Sequence, residues 1–347
     1  MSAHDAPPSQ PASESSRPGQ TPRWSAGIVN HGTYDDLTSC IDSLSQQSRL
    51  PTSIAVYDTD VNPDRLQDIR LAHPHVAFHT GPNCGYAGGA NRVVDSLAKA
   101  TEQVDFILIL NPDVNLDPDY ADRLIHEMAK RPQVAIGTGK LMRPDRTTLD
   151  SAGILMPRNR RPRDRGSDQK DLGQFDALEA IDAASGAAMM IREDALADLE
   201  MDGELFDETF FAYHEDTDLC WRARLFGWQI LYVPTAVALH RRGWKRGGRA
   251  QIPISTRRHS FKNHYLQIVK NETAGGFLRN LPWLLTWEVL RLGFVLLRDR
   301  PMLPAYRDAW KALPEMRQKR SLVQERARQG LGRERTTASQ RKYREAV

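Results

Sequence analysis

Residues 106–118 read FILILNPDVNLDP, and the fold turns on how this stretch is understood. Residues 106–110 form a wholly apolar run of strand length between polar residues, the pattern of a strand buried on both faces. At its carboxyl end stands Asn111-Pro112-Asp113. In open α/β sheets ligands bind beyond the carboxyl ends of strands. On an extended chain Asn111 and Asp113, two residues apart, share one side, and Pro112 stiffens the step between them. A carboxylate there suits a hard divalent cation, and the cation suits a diphosphate. Asn, Pro and Asp are also ordinary turn formers, so the stretch alone leaves a turn and a metal edge both open.

Working outward, the pattern alternates. Upstream, strands are expected at 25–30, 53–57 and 76–79. Helices are expected at 35–47, where Leu37, Ile41 and Leu44 recur at helical spacing, and at 64–71. A glycine-rich loop at 83–91, NCGYAGGAN, then leads into a helix through about residue 100. Downstream, a helix is expected at 119–130 and strands at 134–137, 187–191 and 230–233. This alternation is that of a doubly wound α/β sheet.

Length and composition agree with that fold. The 347 residues are 40% hydrophobic and 26% charged, enough for a real core. A net charge of +3 gives no argument for a nucleic-acid partner. Cys40, Cys84 and Cys220 are odd in number and far apart, so no disulfide framework or cysteine metal site follows and a reducing compartment is expected. No basic region followed by an apolar one marks the N-terminus. The expected division is a disordered tail at 1–23, a catalytic domain at 24–250, a helical and membrane-associating region at 251–315, and a basic tail at 316–347.

Polar residues gather at the expected strand ends: Asn30 with His31, Asp58, and Asn111 with Asp113. A carboxylate placed like Asp58 commonly accepts hydrogen bonds from a base or ribose; it is equally a turn residue before Asn62-Pro63. In NCGYAGGAN, Gly85, Gly88 and Gly89 would let backbone approach a ligand, and Asn91 opens a helix whose N-terminus favours an anion. The spacing is not that of a dinucleotide fingerprint, and the lysine of a phosphate-binding P-loop is missing.

The second chemical stretch is 206–228, FDETFFAYHEDTDLCWRARLFGW. Asp216 reads as an N-cap and the acidic first turn complements a helix dipole. Yet Glu215 and Asp216 are adjacent behind an aromatic wall, and burial beside a second carboxylate makes a plausible general base. Gly186 and Ala187 lead into a buried strand and would leave room for a sugar. His240 follows the last strand, and imidazole is a common ligand for manganese-type ions.

Two further segments carry two readings each. Arg158, Arg160, Arg161, Arg163 and Arg165 form either a solvated loop or a basic lip for an anionic headgroup or an acceptor diphosphate. Residues 277–297 are strongly apolar but interrupted by Arg279, Pro282, Glu288 and Arg291. They suit a helix lying in a membrane interface, or one packed on the catalytic domain.

With these residues in view, the chain resembles the family 2 glycosyltransferases, nearest the rhamnosyltransferase-like branch, with galactofuranosyl and other sugar transferases beside it. The resemblance covers roughly residues 25–242. It rests, in order, on IVNHGTYDDLTSCIDSLSQQ, the strand ending at Asp58, NCGYAGGAN, LILNPDV, SGAAMMIR, and FDETFFAYHEDTDLCWRARLFGW with its trailing His240. It implies a GT-A fold and inversion at the anomeric carbon of a nucleotide-sugar. Asn30, His31 and Asp58 would surround the nucleoside, and Asn83, Gly85, Gly88, Gly89, Asn91, Asn111 and Asp113 the nucleotide-sugar. Asp113 matches the second carboxylate of the family's metal-binding DxD and His240 a metal-contacting histidine, with Mn²⁺ or Mg²⁺ as the ion. Asp216 matches the catalytic base. Glu215 lies beside it, with Gly186 and Ala187 on the acceptor side.

Asn111 stands where many relatives have Asp, which leaves Asp113 as the main carboxylate. Gly32 replaces a common Asn, and Tyr57-Asp58-Thr59 replaces the usual VDN. The implied donor is dTDP-rhamnose first and a UDP-linked galactofuranose, glucose or N-acetylhexosamine second. The implied acceptor is a saccharide or a polyprenyl-diphosphate-linked saccharide of cell-envelope synthesis, at the cytoplasmic membrane face. Oligomeric state is not legible. A nucleotidyltransferase would need a basic loop after the first strand, and residues 30–36 lack a Lys or Arg. A non-catalytic nucleotide-binding or scaffold protein is the reading from another class, and the retained Asp113, Glu215, Asp216 and His240 argue against it.

Overall fold

The computed structural model describes residues 21–99, 102–242 and 252–331. The first half runs β1 (Trp24–Asn30), α1 (Tyr34–Ser45), β2 (Ile54–Asp58), α2 (Pro63–Ala72), β3 (Val76–Thr80), α3 (Gly85–Ala98) and β4 (Phe106–Leu110). Then follow β5 (Val114–Leu116), α4 (Tyr120–Ala129), β6 (Val134–Met142), β7 (Leu149–Ser151), β8 (Ile154–Leu155), β9 (Arg163–Asp164) and β10 (Glu179–Ala180). The second half closes with β11 (Ala188–Arg192), α5 (Leu196–Leu199), α6 (Glu215–Leu225) and β12 (Gln229–His240). Helices α7 (Ile254–Asn271), α8 (Ala274–Arg298) and α9 (Leu303–Leu331) end the described chain.

The main sheet has the order β10-β12-β6-β11-β4-β1-β2-β3, with β5 on β12 and β7 on β6. Strands β3, β2, β1 and β4 are parallel, the consequence of helical crossovers between them. Strand β11 runs antiparallel to both β4 and β6, so the sheet is mixed. The apolar run of β4 is buried on both faces. Phe106, Leu108 and Leu110 join the cluster under α1 and α4, and Ile107 and Ile109 the cluster under α3 and α6. That is why its side chains need no alternation of polarity.

Three expectations are corrected here. NCGYAGGAN is not a loop, since α3 begins at Gly85 and takes in its glycines. Gly85 has φ +74°, and a Cβ there would meet the Phe211 carbonyl oxygen at 2.1 Å. A Cβ on Gly89 would lie 2.5 Å from Val29 Cγ1, and one on Gly88 2.7 Å from Cys84 Cβ. These glycines bring chain close against chain.

Helix α6 starts at Glu215, so Asp216 is its second residue, and the N-cap is His214 in the left-handed region at φ 72°. The C-terminal segment is packed well past 316: α9 continues to Leu331, with Met316 and Val323 fully covered. The expected tail at 1–23 falls mostly, and the boundary at 250 and residues 332–347 wholly, outside the described residues.

Candidate active site

Sheet register gathers the chemical groups at one edge. Strand β4 ends at Leu110, opposite Ala188 of β11, so Asn111 meets Ala187, whose carbonyl accepts its N–H at 2.9 Å. At the far end of β12, His240 pairs with Val114 of β5 and so comes beside Asp113. Helix α6 then points its first turn at the same edge: the Gly186 N–H donates to Asp216 Oδ2 at 2.9 Å. Asn111, Asp113, Gly186, Ala187, Glu215, Asp216 and His240 together line a cleft of about 540 Å³.

The two carboxylates of α6 have different surroundings. Asp216 reaches the cleft, and its Oδ1 accepts the Thr217 N–H at 2.7 Å. Burial pushes its pKa up to about 6, against the backbone N–H groups of Gly186 and Thr217, which hold it down. Glu215 is buried, and its Oε2 has no partner among the described residues. Burial first, and the Asp216 charge second, drive its pKa well above the carboxylate range. Of the two, Asp216 gives up its proton first and Glu215 is held toward its neutral form, the division by which like charges share a site. The glycine at 186 makes room for Asp216 itself, since a Cβ there would lie 3.2 Å from Asp216 Cβ. Gly186 and Ala187 also line the cleft.

The approach to this dyad is strained. Phe211, Tyr213 and His214 have φ of 64°, 72° and 72°, values costly for side chains other than glycine. Asn263 of α7 holds the segment, its Nδ2 donating to the carbonyls of Phe210 (2.7 Å), Ala212 (2.9 Å) and Tyr213 (2.7 Å). Gln267 of α7 reaches Thr217 and His214. Tyr86 of α3 donates to the Gly186 carbonyl at 2.7 Å, completing the wall behind Asp216.

At the other end of the cleft His240 stands between two carboxylates. His240 Nε2 lies 3.3 Å from Asp113 Oδ1, and its Nδ1 2.7 Å from Asp150 Oδ2. Arg143 (3.2 Å) and Arg242 (3.1 Å) flank Asp150 Oδ1. Burial alone would lower the His240 pKa, but hydrogen bonds to Asp113 and Asp150 overcome it and push it up to about 9. Burial raises and the His240 contact lowers Asp113, and the contact wins. A histidine donating one ring nitrogen to a carboxylate and offering the other to a ligand is the usual setting of a metal-bound imidazole. The donor set therefore fits a divalent ion. Among the described residues no group of three or more His, Cys, Asp or Glu is arranged to hold one. The chain would supply Asp113 and His240, leaving other positions to diphosphate oxygens and water.

The remaining expected residues lie outside the cleft lining. Asn30 and Asp58 are fully buried. Asp58 accepts from Asn30 Nδ2 (3.1 Å) and the Tyr34 hydroxyl (2.7 Å). His31 is exposed beside Thr59, and exposed Asn83 accepts the Gly85 N–H. Asn91 is corrected: its amide is spent on Phe206, accepting that residue's N–H and donating to its carbonyl, both at 2.8 Å. It fastens the segment before α6 to α3. Sequence reasoning missed Tyr86, Asp150, Asp164, Arg242 and Asn263. Only Asp150, a lone carboxylate within the apolar surroundings of LDSAGIL, left a signal.

The family model described as "Glycosyl transferase family 2" matches residues 25–199. The N-acetylglucosaminyl-diphospho-decaprenol L-rhamnosyltransferase of Mycobacterium tuberculosis is 26% identical over 294 residues, 78% of this chain and 92% of that protein. The low-salt glycan biosynthesis hexosyltransferase Agl10 of Haloferax volcanii is 28% identical over 224 residues, 61% of this chain and 65% of that protein. Among solved structures, the mannosyltransferase PcManGT of Pyrobaculum calidifontis, in complex with GDP-Man and Mn²⁺, superposes with a TM-score of 0.51. It is 15% identical, with 94% of this chain and 91% of that one covered. GalNAc-T7 with UDP, GalNAc and Mn²⁺ gives a TM-score of 0.52 at 13% identity, over 72% of this chain and 48% of that one. The fold is the GT-A arrangement that the sequence led us to expect.

Proposed function

Because the chain belongs to glycosyl transferase family 2, we propose that this glycosyltransferase moves rhamnose from dTDP-rhamnose to a saccharide carried on a polyprenyl diphosphate. The observation that carries the reading is the pairing, in one cleft, of a raised carboxylate at Asp216 with the Asp113–His240 edge. The rhamnosyl donor and lipid-linked acceptor are supported by the printed name of the mycobacterial relative, matched over 92% of its length. A UDP-linked hexose is the donor to test beside it.

In this reading Asp216 takes the proton of an acceptor hydroxyl as its oxygen bonds to the anomeric carbon. The bond from that carbon to the nucleoside diphosphate breaks on the opposite face, inverting the centre. A base that ionises near 6 is free at neutral pH and still basic enough to help, the balance general-base catalysis needs. Glu215, held toward its neutral form, limits the second negative charge near the incoming hydroxyl. Asp113 and His240 Nε2 would hold Mn²⁺ or Mg²⁺, which when bound offsets the charge of the departing diphosphate. Asp150 keeps the His240 ring turned toward that place, and binding an ion there must release the extra His240 proton. In this reading Asn111 lines the cleft on the nucleotide side, with Asn30, His31, Asp58 and Asn83 beyond its lining. A base reaches Asp58 only by displacing the Tyr34 hydroxyl or the Asn30 amide.

The protein would work at a membrane surface. Helix α8 is 25 residues long and apolar enough to cross a bilayer, and most of it is exposed. Glu288 accepts from the hydroxyls of Tyr265 and Tyr306, and Arg291 covers Phe261, so α8 is tied to α7 and α9 around residues 288–291. A helix so tied suits lying in the interface on the cytoplasmic face. The deciding experiment is thermal unfolding with dTDP, UDP or GDP, each with and without Mn²⁺. A nucleotide at about a hundred times its dissociation constant stabilises by roughly 2.7 kcal/mol. A metal-dependent response to dTDP is expected, a preference for UDP would move the donor, and no response to any nucleotide would overturn the reading.

A further inference from the structure

Three aromatic side chains stand in the segment that leads into the dyad, and they face three different ways. Phe210 is fully buried against Leu266 and Met316, and Phe211 stacks on His259 of α7 with ring centroids 5.1 Å apart. Of the three, Tyr213 is the one that lines the cleft, and it is 41% exposed. An aromatic ring left open forgoes the burial that its two neighbours gain. Its backbone is also held at φ 72°, a conformation that a side chain of this size adopts at a cost and that clusters at ligand sites.

The ring is fixed in place. Asn263 Nδ2 donates to the Tyr213 carbonyl at 2.7 Å, and the Thr256 side chain, also on α7, hydrogen-bonds the phenol. Tyr213 is thus fastened to one helix by its carbonyl and by its hydroxyl, and what it offers a ligand is the ring. Burial raises the phenol's pKa, Thr256 works against that rise, and Glu215 and Arg242 lie near enough to act on it. The phenol is therefore uncharged at neutral pH. Tyr213 and Asp216 are three residues apart, so their Cα atoms lie within about 11 Å of each other. Ile154 and Pro162 line the same cleft, so the ring adds to an apolar part of a lining that also carries the reactive carboxylates.

A sugar ring is matched to such a surface. A pyranose with equatorial hydroxyls shows only C–H groups on its face and carries its hydroxyls around the rim. The electron-rich face of an aromatic ring attracts those C–H groups. A sugar lying on Tyr213 therefore keeps its rim free to reach a base a few residues further along the chain. The ring belongs to the segment that carries Asp216, and Asp216 takes its proton from the acceptor, so the sugar on the ring is assigned to the acceptor.

We propose that Tyr213 is the platform on which the acceptor's pyranose ring stacks, setting the attacking hydroxyl at its rim against Asp216. The assignment deepens the acceptor reading given above and rests on it.

The test is steady-state transfer by the whole chain with Mn²⁺, farnesyl-diphosphate-linked N-acetylglucosamine as acceptor, and dTDP-rhamnose or UDP-glucose as donor, whichever the wild type uses. Tyr213→Ala should raise the KM for the acceptor about tenfold, the worth of one aromatic contact. The donor KM and kcat should hardly move, the pattern of lost binding that is the same in ground and transition states. Tyr213→Phe keeps the ring and should recover most of the loss. Should the alanine variant not fold, Tyr213→Leu, which keeps bulk without a ring, is read in the same way. An acceptor KM like the wild type's in the ring-less variant would overturn the platform. So would a donor KM that rises as much as the acceptor's, or a phenylalanine variant as impaired as the alanine one. A wild type that transfers neither sugar and is stabilised by no nucleotide would defeat sugar transfer itself, and the platform with it. Transfer by the wild type with an unmoved acceptor KM in the variant defeats the platform alone.

Discussion

Replacing Asp216 by Asn should abolish transfer while making the protein more stable, and the two effects have one cause. The Asp216 carboxyl ordinarily ionises at 3.8, and burial pushes it up to about 6. Keeping it charged at neutral pH therefore costs the folded state roughly 3 kcal/mol. As pH rises, the native state holds its proton longer than the unfolded chain. Stability is full below the ordinary value and is lost as pH climbs through about 6. Asparagine removes that penalty. It keeps one of the two backbone donors, Gly186 N–H or Thr217 N–H, and turns its amide toward the other. That mismatch costs about 1–2 kcal/mol. The net gain is about 1–2 kcal/mol, roughly 2 °C in Tm for a chain of this size. Loss of the charge also eases ionisation of Glu215, in the same stabilising direction. Transfer should fall about a hundred- to ten-thousandfold. The assays are sugar transfer to a lipid-linked acceptor and thermal unfolding at about pH 7.5 and about pH 4.5, where the Tm gain should shrink. Normal turnover by the variant would refute Asp216 as the base. A Tm that drops equally at both pH values would refute the burial argument.

Wild-type kcat/KM should fall about tenfold per pH step below about 6, as the carboxylate is protonated, and a pH profile reads this directly. Asp150→Asn loosens the ring of His240 and should raise the Mn²⁺ concentration for half-maximal activity about 10- to 100-fold; an unchanged metal titration would count against the site. Asn263→Ala leaves the carbonyls of Phe210, Ala212 and Tyr213 without their donor. Stability should drop by about 2–4 kcal/mol in denaturant unfolding, with turnover lost and nucleotide-induced stabilisation kept. Leu285→Glu with Val289→Glu, both exposed on α8, should cut vesicle binding at least tenfold while Tm stays within about 1 °C.

What was legible in the sequence was whatever depended on period and position. The run at 106–110 announced a doubly buried strand because both its faces pack, and Asp113 and His240 could be named because strand ends collect ligands. What was not legible depended on which side chain faces which. The glycines of NCGYAGGAN look like a ligand loop, yet glycine is as necessary where α3 crowds Val29 or the Phe211 carbonyl. Asn91 has the composition of a binding residue, and only its two hydrogen bonds to Phe206, 115 positions away, show it to be a fastening. Asn263 lies in a helix with no motif around it. Its role exists only because residues 210–213 adopt a backbone that needs holding, and no one-dimensional pattern records that.

The C-terminal helices belong to the site as much as the sheet does. The first turn of α6 carries the dyad, and α7 braces it from behind. Gln267 bonds Thr217, and Lys270 bonds both Asp207 (2.6 Å) and Asp218 (2.8 Å) with almost no exposure. From α9, Lys319 adds a second ammonium to Asp207 at 2.6 Å. Buried charges of this kind are costly to separate once paired, so the frame behind Asp216 is stiff. Just past α7, Glu272 receives Arg160, from the turn between β8 and β9, and leads the chain into α8. One frame therefore connects the base, the cleft mouth and the apolar helix. When α8 lies on a surface, the direction in which the cleft opens is set with it. For an acceptor whose diphosphate cannot leave the headgroup layer, that geometry matters as much as the chemistry of the carboxylate, because the hydroxyl must arrive from a fixed height.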